Sequence, residues 1–150
     1  MDEAEPFQKI LLSPGPGIPD EAGLLKPLIE KYAATKHILG ICLGQQAIAE
    51  VFGGMLVNLD KVHHGVATTI EIVTDDILFD GLPTVISVGR YHSWAVSKNL
   101  PDVLEATSID NNGEIMSLRH KYFNVRAVQF HPESVLTPDG KKILANWLAS

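Results

Sequence analysis

The sequence predicts an α/β fold, an open, mostly parallel sheet flanked by helices and extended by antiparallel strands. Two short apolar segments, 9–13 and 37–41, are each followed by a turn and a helical pattern, which predicts the parallel part of the sheet. From residue 68 onward the chain changes to alternating segments rich in β-branched residues, which predicts the antiparallel extension.

The first half of the chain alternates strands and helices. Residues 9–13 (KILLS) form an apolar run that stops at a Pro-Gly-Pro-Gly sequence, as expected of a buried strand that leads into a loop. An apolar stripe predicts a helix over roughly 21–35. The second buried strand, 37–41, leads through Cys42 into another helix, which the glycine pair at 53–54 ends.

The second half contains mainly strands. The segments predicted as strands are 68–74, 84–91, 103–109, 114–119 and 125–130. Asn112-Gly113 lies between two of them and is typical of a β-hairpin turn. A capped amphipathic helix is predicted at 141–148, close to the end of the chain.

Length and composition favour one domain over residues 1–150. A chain of 150 residues with 45% hydrophobic content can bury a core without cross-links. The net charge of −6 argues against a surface for nucleic acid or anionic membranes. The single cysteine, Cys42, excludes an intrachain disulfide and a Cys-x-x-Cys metal site, and it favours a reducing compartment, the cytoplasm.

The segment 40–44 (GICLG) places a reactive side chain where a predicted strand turns into a helix. Glycines on both sides suit a strained turn and close packing of the helix. This pattern is typical of a nucleophile elbow, here with cysteine where many hydrolases have serine. The helix N-terminus would favour the thiolate of Cys42. The same five residues also fit a small buried cysteine in a βα turn.

His131 and Glu133 follow a predicted strand that ends at Phe130. Residues two apart in extended chain point to the same side, so the carboxylate can accept a hydrogen bond from the imidazole. His131 can then deprotonate Cys42 and later protonate a leaving amine. Both groups come at the carboxyl ends of predicted strands, where open α/β sheets bind ligands. Alone, the pair also fits a loop histidine beside a surface carboxylate.

The segment 13–17 (SPGPG) also follows a predicted strand. Its glycines lie between prolines, so its backbone N–H groups have no side chain in the way. Such a loop can donate hydrogen bonds to an oxyanion, and a simple turn is the alternative interpretation.

Four motifs together resemble the class I glutamine amidotransferases. They are SPGPG at 13–17, GICLGQQ at 40–46, RYHSW at 90–94 and HPES at 131–134. Within that family the pattern is most similar to the subunits that serve chorismate-using synthases, anthranilate synthase component II and its aminodeoxychorismate synthase counterpart. The resemblance implies a flavodoxin-like fold.

The resemblance also implies a Cys-His-Glu triad. Cys42 would attack the side-chain amide of glutamine, His131 would act as general base and acid, and Glu133 would orient the imidazole. A γ-glutamyl thioester would form and be hydrolysed by water, which yields glutamate and ammonia. The family mechanism implies no metal and no cofactor for this reaction.

Substrate-binding roles follow from the same resemblance. The backbone N–H groups of Gly15 and Leu43 would form the oxyanion hole. The residues implied to hold the two charged ends of glutamine, or to belong to the loop that does so, are Gln46, Ser93, Trp94, Gly17 and Pro16. Among the histidines outside the motif pair, His92 is a candidate to support the site, whereas His37, His63 and His120 are expected to be structural or surface residues.

The implied partner is a large synthase subunit that aminates chorismate to anthranilate or 4-amino-4-deoxychorismate. The tryptophan and folate pathways are not separated by the sequence. Family members normally have a strand–helix–strand segment before the SPGPG strand, and this chain begins about a dozen residues before it, so we expect an N-terminally truncated domain. The strand at 10–12 would then lie at the sheet edge, and we expect self-association there.

Two other functions are compatible with the sequence. One is a γ-glutamyl cysteine hydrolase of the same fold. The other is a truncated, catalytically silent module that only docks to a partner. Reaction of Cys42 with a glutamine-mimicking electrophile would distinguish the glutaminase from the silent module.

Overall fold

The computed structural model describes residues 2–12, 23–59 and 62–150. Its α-helices are α1 (Leu25–Tyr32), α2 (Leu43–Val51) and α3 (Gly140–Leu148). Its strands are β1 (Lys9–Leu12), β2 (His37–Ile41), β3 (Leu56–Asn58), β4 (Val66–Ile72), β5 (Val85–Arg90), β6 (Trp94–Val96), β7 (Leu104–Ile109), β8 (Ile115–His120) and β9 (Val125–Val128). Short 3₁₀ turns lie at Asp2–Ala4 and Ile77–Phe79.

Seven strands form one sheet in the order β1-β2-β9-β8-β7-β4-β5. β1, β2 and β9 are parallel, and the pairings from β9 through β5 are antiparallel. β3 and β6 form a separate antiparallel pair. This architecture confirms the predicted α/β class, with parallel strands at one side and an antiparallel extension at the other.

The sheet separates two hydrophobic cores. Alternate residues of a strand face opposite sides, so β2 and β9 contribute to both. Ile38 and Val125 belong to the core that α1 and α2 cover. Leu39 and Val128 belong to the core that α3 covers. Burial on both faces explains why β2 reads as a continuous apolar run, as expected of central parallel strands.

The helices and strands differ from the predicted ones mainly at their ends. Within the described residues α1 begins at Leu25, and Pro27 lies in its first turn, where backbone N–H groups have no partner within the helix. The expected SPGPG loop and the beginning of the expected helix fall on residues 13–22, outside the described residues. The sequence does not predict β3 and β6, since three residues are too few to show alternation.

Within the described residues β1 lies at the end of the strand order and pairs with β2. This position agrees with the edge expected for the strand at 10–12, and self-association through it stays a prediction. The ammonium of Lys9 donates to the main-chain oxygens of Leu148 and Ser150, which ties β1 to the residues at and after the end of α3.

The described residues contain neither a candidate membrane-spanning helix nor a candidate metal cluster. In the ranges 2–12, 23–59 and 62–150, no helix combines the length and apolar character needed to cross a membrane. In the same part of the chain, no group of three or more His, Cys, Asp or Glu side chains is arranged to hold a metal ion.

Candidate active site

Cys42 lies at a sharp turn between β2 and α2. Its backbone has φ 55° and ψ −99°, and it is the only non-glycine residue with positive φ in the described part of the chain. A Cβ at Gly40 would lie 2.6 Å from the carbonyl carbon of Gly44, and a Cβ at Gly44 would lie 2.9 Å from the oxygen of Leu12. The predicted strand–turn–helix geometry is present, and both flanking glycines are required by close backbone approach.

The thiol of Cys42 is nearly buried, with 7% of the residue exposed. Burial raises its pKa to about 11, and the negative charge of Glu133 acts in the same direction. The backbone N–H of Leu43 and a hydrogen bond from Gln129 Nε2, 3.5 Å from Sγ, oppose the rise. This differs from the expected thiolate, because desolvation outweighs the helix N-terminus. At neutral pH the thiol keeps its proton, so attack on an amide requires a base.

His131 follows the carboxyl end of β9, which lies beside the carboxyl end of β2, where Cys42 is located. β9 pairs with β2 so that Ile41 lies opposite Val128, and the backbone N–H of Cys42 donates to the Val128 oxygen over 2.8 Å. The two side chains therefore follow neighbouring parallel strands. The sequence placed both at strand ends, and the register shows that the two strands are adjacent.

The imidazole of His131 is oriented by Glu133, whose Oε2 lies 2.8 Å from Nδ1. A carboxylate only accepts, so Nδ1 carries a proton, and in the neutral form of this ring the lone pair is on Nε2. His131 Nε2 is buried and has no hydrogen-bond partner among the described residues. An unprotonated, unpaired imidazole nitrogen is what a general base needs.

The turn that carries His131 is fixed by the end of β5 and by Thr137, which lies before α3. The backbone N–H of His131 donates to the Gly89 oxygen over 3.0 Å, and Thr137 Oγ1 donates to the His131 oxygen over 2.7 Å. The ring of Tyr91 contacts the imidazole edge-to-face at 4.7 Å, and its hydroxyl lies 2.9 Å from Ser134 Oγ. Sequence reasoning assigned no role to Tyr91, although it lies within the RYHSW motif.

Gly140 begins α3 directly against this turn. A Cβ at position 140 would lie 1.7 Å from the carbonyl oxygen of Pro132. The separation is far below any real contact, so only glycine allows α3 to start here. The sequence predicts this helix at 141–148, and sequence reasoning missed the contact of Gly140 with the HPES turn.

Of the residues expected to bind glutamine, the structure brings Gln46 and Trp94 together. Gln46 is buried, and its Nε2 donates to the Trp94 oxygen over 3.0 Å and to Gln129 Oε1 over 3.4 Å. Leu43 is the first residue of α2, and Ser93 immediately precedes β6. Gly15, Pro16 and Gly17 lie outside the described residues.

Three buried polar side chains, those of His92, Arg90 and Asp110, lie behind Trp94, and the sequence analysis proposed a supporting role for His92 alone. His92 accepts from Arg90 Nε over 3.0 Å through Nε2, and its Nδ1 lies 2.9 Å from the Trp94 oxygen. Burial, with the charge of Arg90 next in effect, lowers the pKa of His92 to about 4, so the ring is neutral. Arg90 is paired with Asp110 over 2.7 Å. No sequence signal links Asp110 to the RYHSW motif, because twenty residues separate it from Arg90.

A cavity of about 480 Å³ lies beyond this group, bordered by β3, β4 and the β7–β8 turn. Arg90 and Asp110 line it, and neither Cys42 nor His131 does. The cavity therefore does not include Cys42 or His131, and its wall contains the Arg90–Asp110 pair that contacts His92.

Comparisons with known proteins agree on one family. Residues 1–150 match the family model described as "Glutamine amidotransferase class-I". The chain is 44% identical to aminodeoxychorismate synthase component 2 of Escherichia coli K12, over 99% of this chain and 79% of that protein. It is also 44% identical to anthranilate synthase component 2 of Pseudomonas aeruginosa, over 97% of this chain and 75% of that protein.

Two solved structures share the fold of this chain. A Thermoplasma acidophilum protein, provisionally named as one of the subunits of a GMP synthase, superposes with a TM-score of 0.88 at 30% identity, covering 99% of this chain and 74% of its own. A glutamine amidotransferase from Thermotoga maritima superposes with a TM-score of 0.73 at 21% identity, over 97% of this chain and 62% of that protein. At this identity the likeness supports the fold alone.

Proposed function

Because this chain belongs to the class I glutamine amidotransferase family, we propose that it is the glutaminase subunit of a chorismate-aminating synthase. The relatives named as component 2 of anthranilate and aminodeoxychorismate synthases support this choice. The observation that carries the proposal is that β2 and β9 are adjacent and parallel. Cys42 and the His131–Glu133 pair therefore follow neighbouring carboxyl ends of the sheet.

In the proposed reaction Cys42, His131 and Glu133 act as a triad. His131 Nε2 takes the thiol proton while Sγ attacks the side-chain carbonyl carbon of glutamine. The C–N bond breaks as the imidazolium returns that proton to the leaving nitrogen, which departs as ammonia. Water, deprotonated by His131, then attacks the thioester, and glutamate and the thiol are released. Glu133 stabilises the imidazolium that forms in each half.

The binding roles are assigned by the same proposal. The N–H groups of Gly15 and Leu43 stabilise the tetrahedral oxyanion. Gln46 uses its Nε2 on Trp94 and Gln129, so its Oε1 is the atom left to accept from the α-ammonium of glutamine. The residues assigned to the rest of the glutamine molecule are Ser93, the main chain at Trp94, Gly17 and the adjoining Pro16.

Ammonia delivery gives a physical reason for the partner subunit. Ammonium at neutral pH has no lone pair for nucleophilic attack, so the product must pass to chorismate as neutral ammonia, away from bulk water. Tight contact with the large synthase chain provides that shelter. A reduced Cys42 is needed throughout, so we place the protein in the cytoplasm.

Labelling with a diazo-ketone analogue of glutamine tests the proposal. We expect one covalent adduct, mapped to Cys42 by peptide mass spectrometry, and protection by excess glutamine. Absence of reaction in the folded protein would favour the silent docking module instead. Rapid turnover of γ-glutamyl peptides without glutamine hydrolysis would favour the γ-glutamyl cysteine hydrolase.

The Cys42→Ala variant tests ammonia delivery. Assembled with the large synthase chain, it is expected to lose glutamine-dependent amination of chorismate and to keep amination with added ammonium salt. Loss of both activities in a complex that still assembles would contradict the proposed division of labour.

A further inference from the structure

A continuous chain of hydrogen bonds runs from the thiol of Cys42 to a second set of buried residues. Gln129 Nε2 donates to Cys42 Sγ over 3.5 Å. Gln129 Oε1 accepts from Gln46 Nε2 over 3.4 Å, and the same Nε2 donates to the Trp94 oxygen over 3.0 Å. A single amide side chain, that of Gln129, therefore joins the sulfur to the residues that the proposed function assigns to glutamine binding.

The chain continues from Trp94 to Asp110. The Trp94 oxygen also accepts from His92, whose Nδ1 lies 2.9 Å away. His92 Nε2 accepts from Arg90 Nε over 3.0 Å, and Arg90 Nη1 donates to Asp110 Oδ2 over 2.7 Å. Asp110 is itself held by the backbone N–H groups of the β7–β8 turn, which donate to Oδ1.

Chemistry fixes the direction of every bond in this chain. Arg90 can only donate, so His92 Nε2 is an acceptor and Nδ1 carries the proton that Trp94 accepts. Because Gln129 Oε1 is occupied as an acceptor, its Nε2 is the group that faces the sulfur. The side chains of the chain are all buried: Gln46, Arg90, His92, Asp110 and Gln129 expose 3%, 2%, 6%, 8% and 0%. In a buried network of this kind, each bond restricts the orientation of the next.

We propose that Gln129 is a positioning residue for the Cys42 thiol, and that Asp110, Arg90 and His92 hold it in place through the Trp94 carbonyl and Gln46. The N–H of Gln129 occupies one lone pair of the sulfur, so the S–H bond must point elsewhere and the sulfur orientation is fixed. When the proton leaves, the same N–H stabilises the thiolate. This inference rests on the proposed role of Cys42 as the nucleophile.

The first test removes the bond to sulfur. In Gln129→Leu, which has similar volume and no donor, we expect iodoacetamide to alkylate Cys42 about tenfold more slowly at pH 8, as loss of one hydrogen bond to a thiolate predicts. The rate-versus-pH curve is expected to shift upward by about one pH unit. An unchanged curve in a variant that is folded by circular dichroism would overturn the positioning role.

The second test uses a matched pair at His92. His92→Asn keeps an N–H donor near the position of Nδ1, facing Trp94, whereas His92→Gln keeps an acceptor near Nε2, facing Arg90. Positioning through Trp94 predicts that the Asn variant retains more of the alkylation rate and of glutaminase kcat than the Gln variant. Equal effects, or better retention by Gln, would mean that His92 only fills space beside Arg90 and would overturn the relay.

Asn146→Leu provides a control for loss of stability. Asn146 is a side-chain amide on α3 that donates to the carbonyls of Leu78 and Asp80, away from the relay. Its replacement is expected to lower the unfolding temperature and leave the alkylation curve of Cys42 unchanged. A shift as large as that of Gln129→Leu would mean that any loss of stability alters the thiol, which would overturn the specific role of Gln129.

The two proposals fail in different ways. If the glutamine analogue does not label Cys42 in the unmodified protein, the proposed function is wrong. If labelling occurs and is blocked by glutamine, but neither Gln129→Leu nor the His92 pair changes the thiol, only the positioning relay is wrong.

Discussion

At the scale of single residues, the site depends on side chains whose protonation is set by burial. Cys42 is kept as a thiol by desolvation, which raises its pKa to about 11, and His92 is kept neutral by burial beside Arg90. His131 differs from both, since one nitrogen is paired with Glu133 and the other has no partner among the described residues. Of these three groups, His131 is therefore the candidate base, because its Nε2 is buried and has no hydrogen-bond partner in the described part of the chain.

His131→Asn is expected to lower glutamine-dependent kcat by about 10²-fold or more, because general acid–base catalysis is lost at both proton transfers. KM for glutamine should change little, since the imidazole is not assigned to substrate binding. Steady-state kinetics of the complex, with ammonia-dependent amination as the internal control, measure both quantities. A kcat within a few-fold of the unmodified enzyme would exclude His131 as the base.

Stability should fall in mild acid because of His92. Its pKa is about 4 in the folded protein and 6.5 as the ordinary value, so between these limits the unfolded state binds more protons. Stability therefore rises with pH across this window and is lost as pH falls, by about 2 to 3 kcal/mol at pH 4.5. From about one pH unit above 6.5, the ring is unprotonated in both states and contributes almost no pH dependence.

Urea unfolding of the unmodified protein and of His92→Asn at pH 7 and pH 4.5 measures this contribution. Other buried groups titrate in both proteins and largely cancel in the comparison. The variant is expected to lose about 2 kcal/mol less on acidification. Equal losses would show that His92 becomes protonated without cost in the folded state.

At the scale of helices and strands, the site is built by close approach of backbones. α2 packs on β2 through Gly40 and Gly44, and α3 packs on the HPES turn through Gly140. Each glycine lets a helix N-terminus lie against a strand end or a turn that carries a reactive group. The triad candidates are held by packing of whole elements, and the bond between His131 and Glu133 adds to it.

Gly140→Ala is expected to lower the free energy of unfolding by about 1–3 kcal/mol, because the added methyl group overlaps the Pro132 oxygen and α3 must move. Displacement of the adjoining turn should also reduce glutaminase kcat. Lys141→Ala, at the exposed next position, is the matched control and should change neither quantity appreciably. Chemical denaturation and glutamine kinetics of both variants check this, and equal behaviour of the two would contradict it.

At the scale of the whole molecule, one sheet connects the candidate triad to the buried groups behind it. The parallel strands β1, β2 and β9 place the candidate triad, and the antiparallel extension carries Arg90 and Asp110. β1 lies at one end of this sheet within the described residues, with half-exposed Leu11 among its side chains. An edge strand with an apolar outer surface is a template for pairing with a second copy.

Self-association through β1 is expected to increase with protein concentration. Sedimentation velocity should show a rising mean sedimentation coefficient, and Leu11→Lys should reduce that rise, because charge on an edge strand opposes pairing. Val73→Lys, at an exposed apolar position that lies outside the strands, is the control for charge alone. A monomer at all concentrations would show that this edge does not pair.

The sequence determined a large part of this protein by local means. Periodicity distinguished helices from strands, glycine spacing identified the turn at Cys42, and the two-residue step from His131 to Glu133 predicted a hydrogen bond that the structure contains. These features depend on residues that are close together in the sequence, so they can be predicted from the sequence. The family resemblance added the roles, and the family is confirmed by the comparisons.

Only the tertiary structure decided which distant groups meet and how much water they lose. The raised pKa of Cys42 and its contact with Gln129 arise where β2 and β9, far apart in sequence, are adjacent in the sheet. The link from Arg90 to Asp110 joins the end of β5 to the turn after β7, two strands away. Desolvation and long-range hydrogen bonds depend on what surrounds a group in three dimensions, and a linear pattern carries no measure of either.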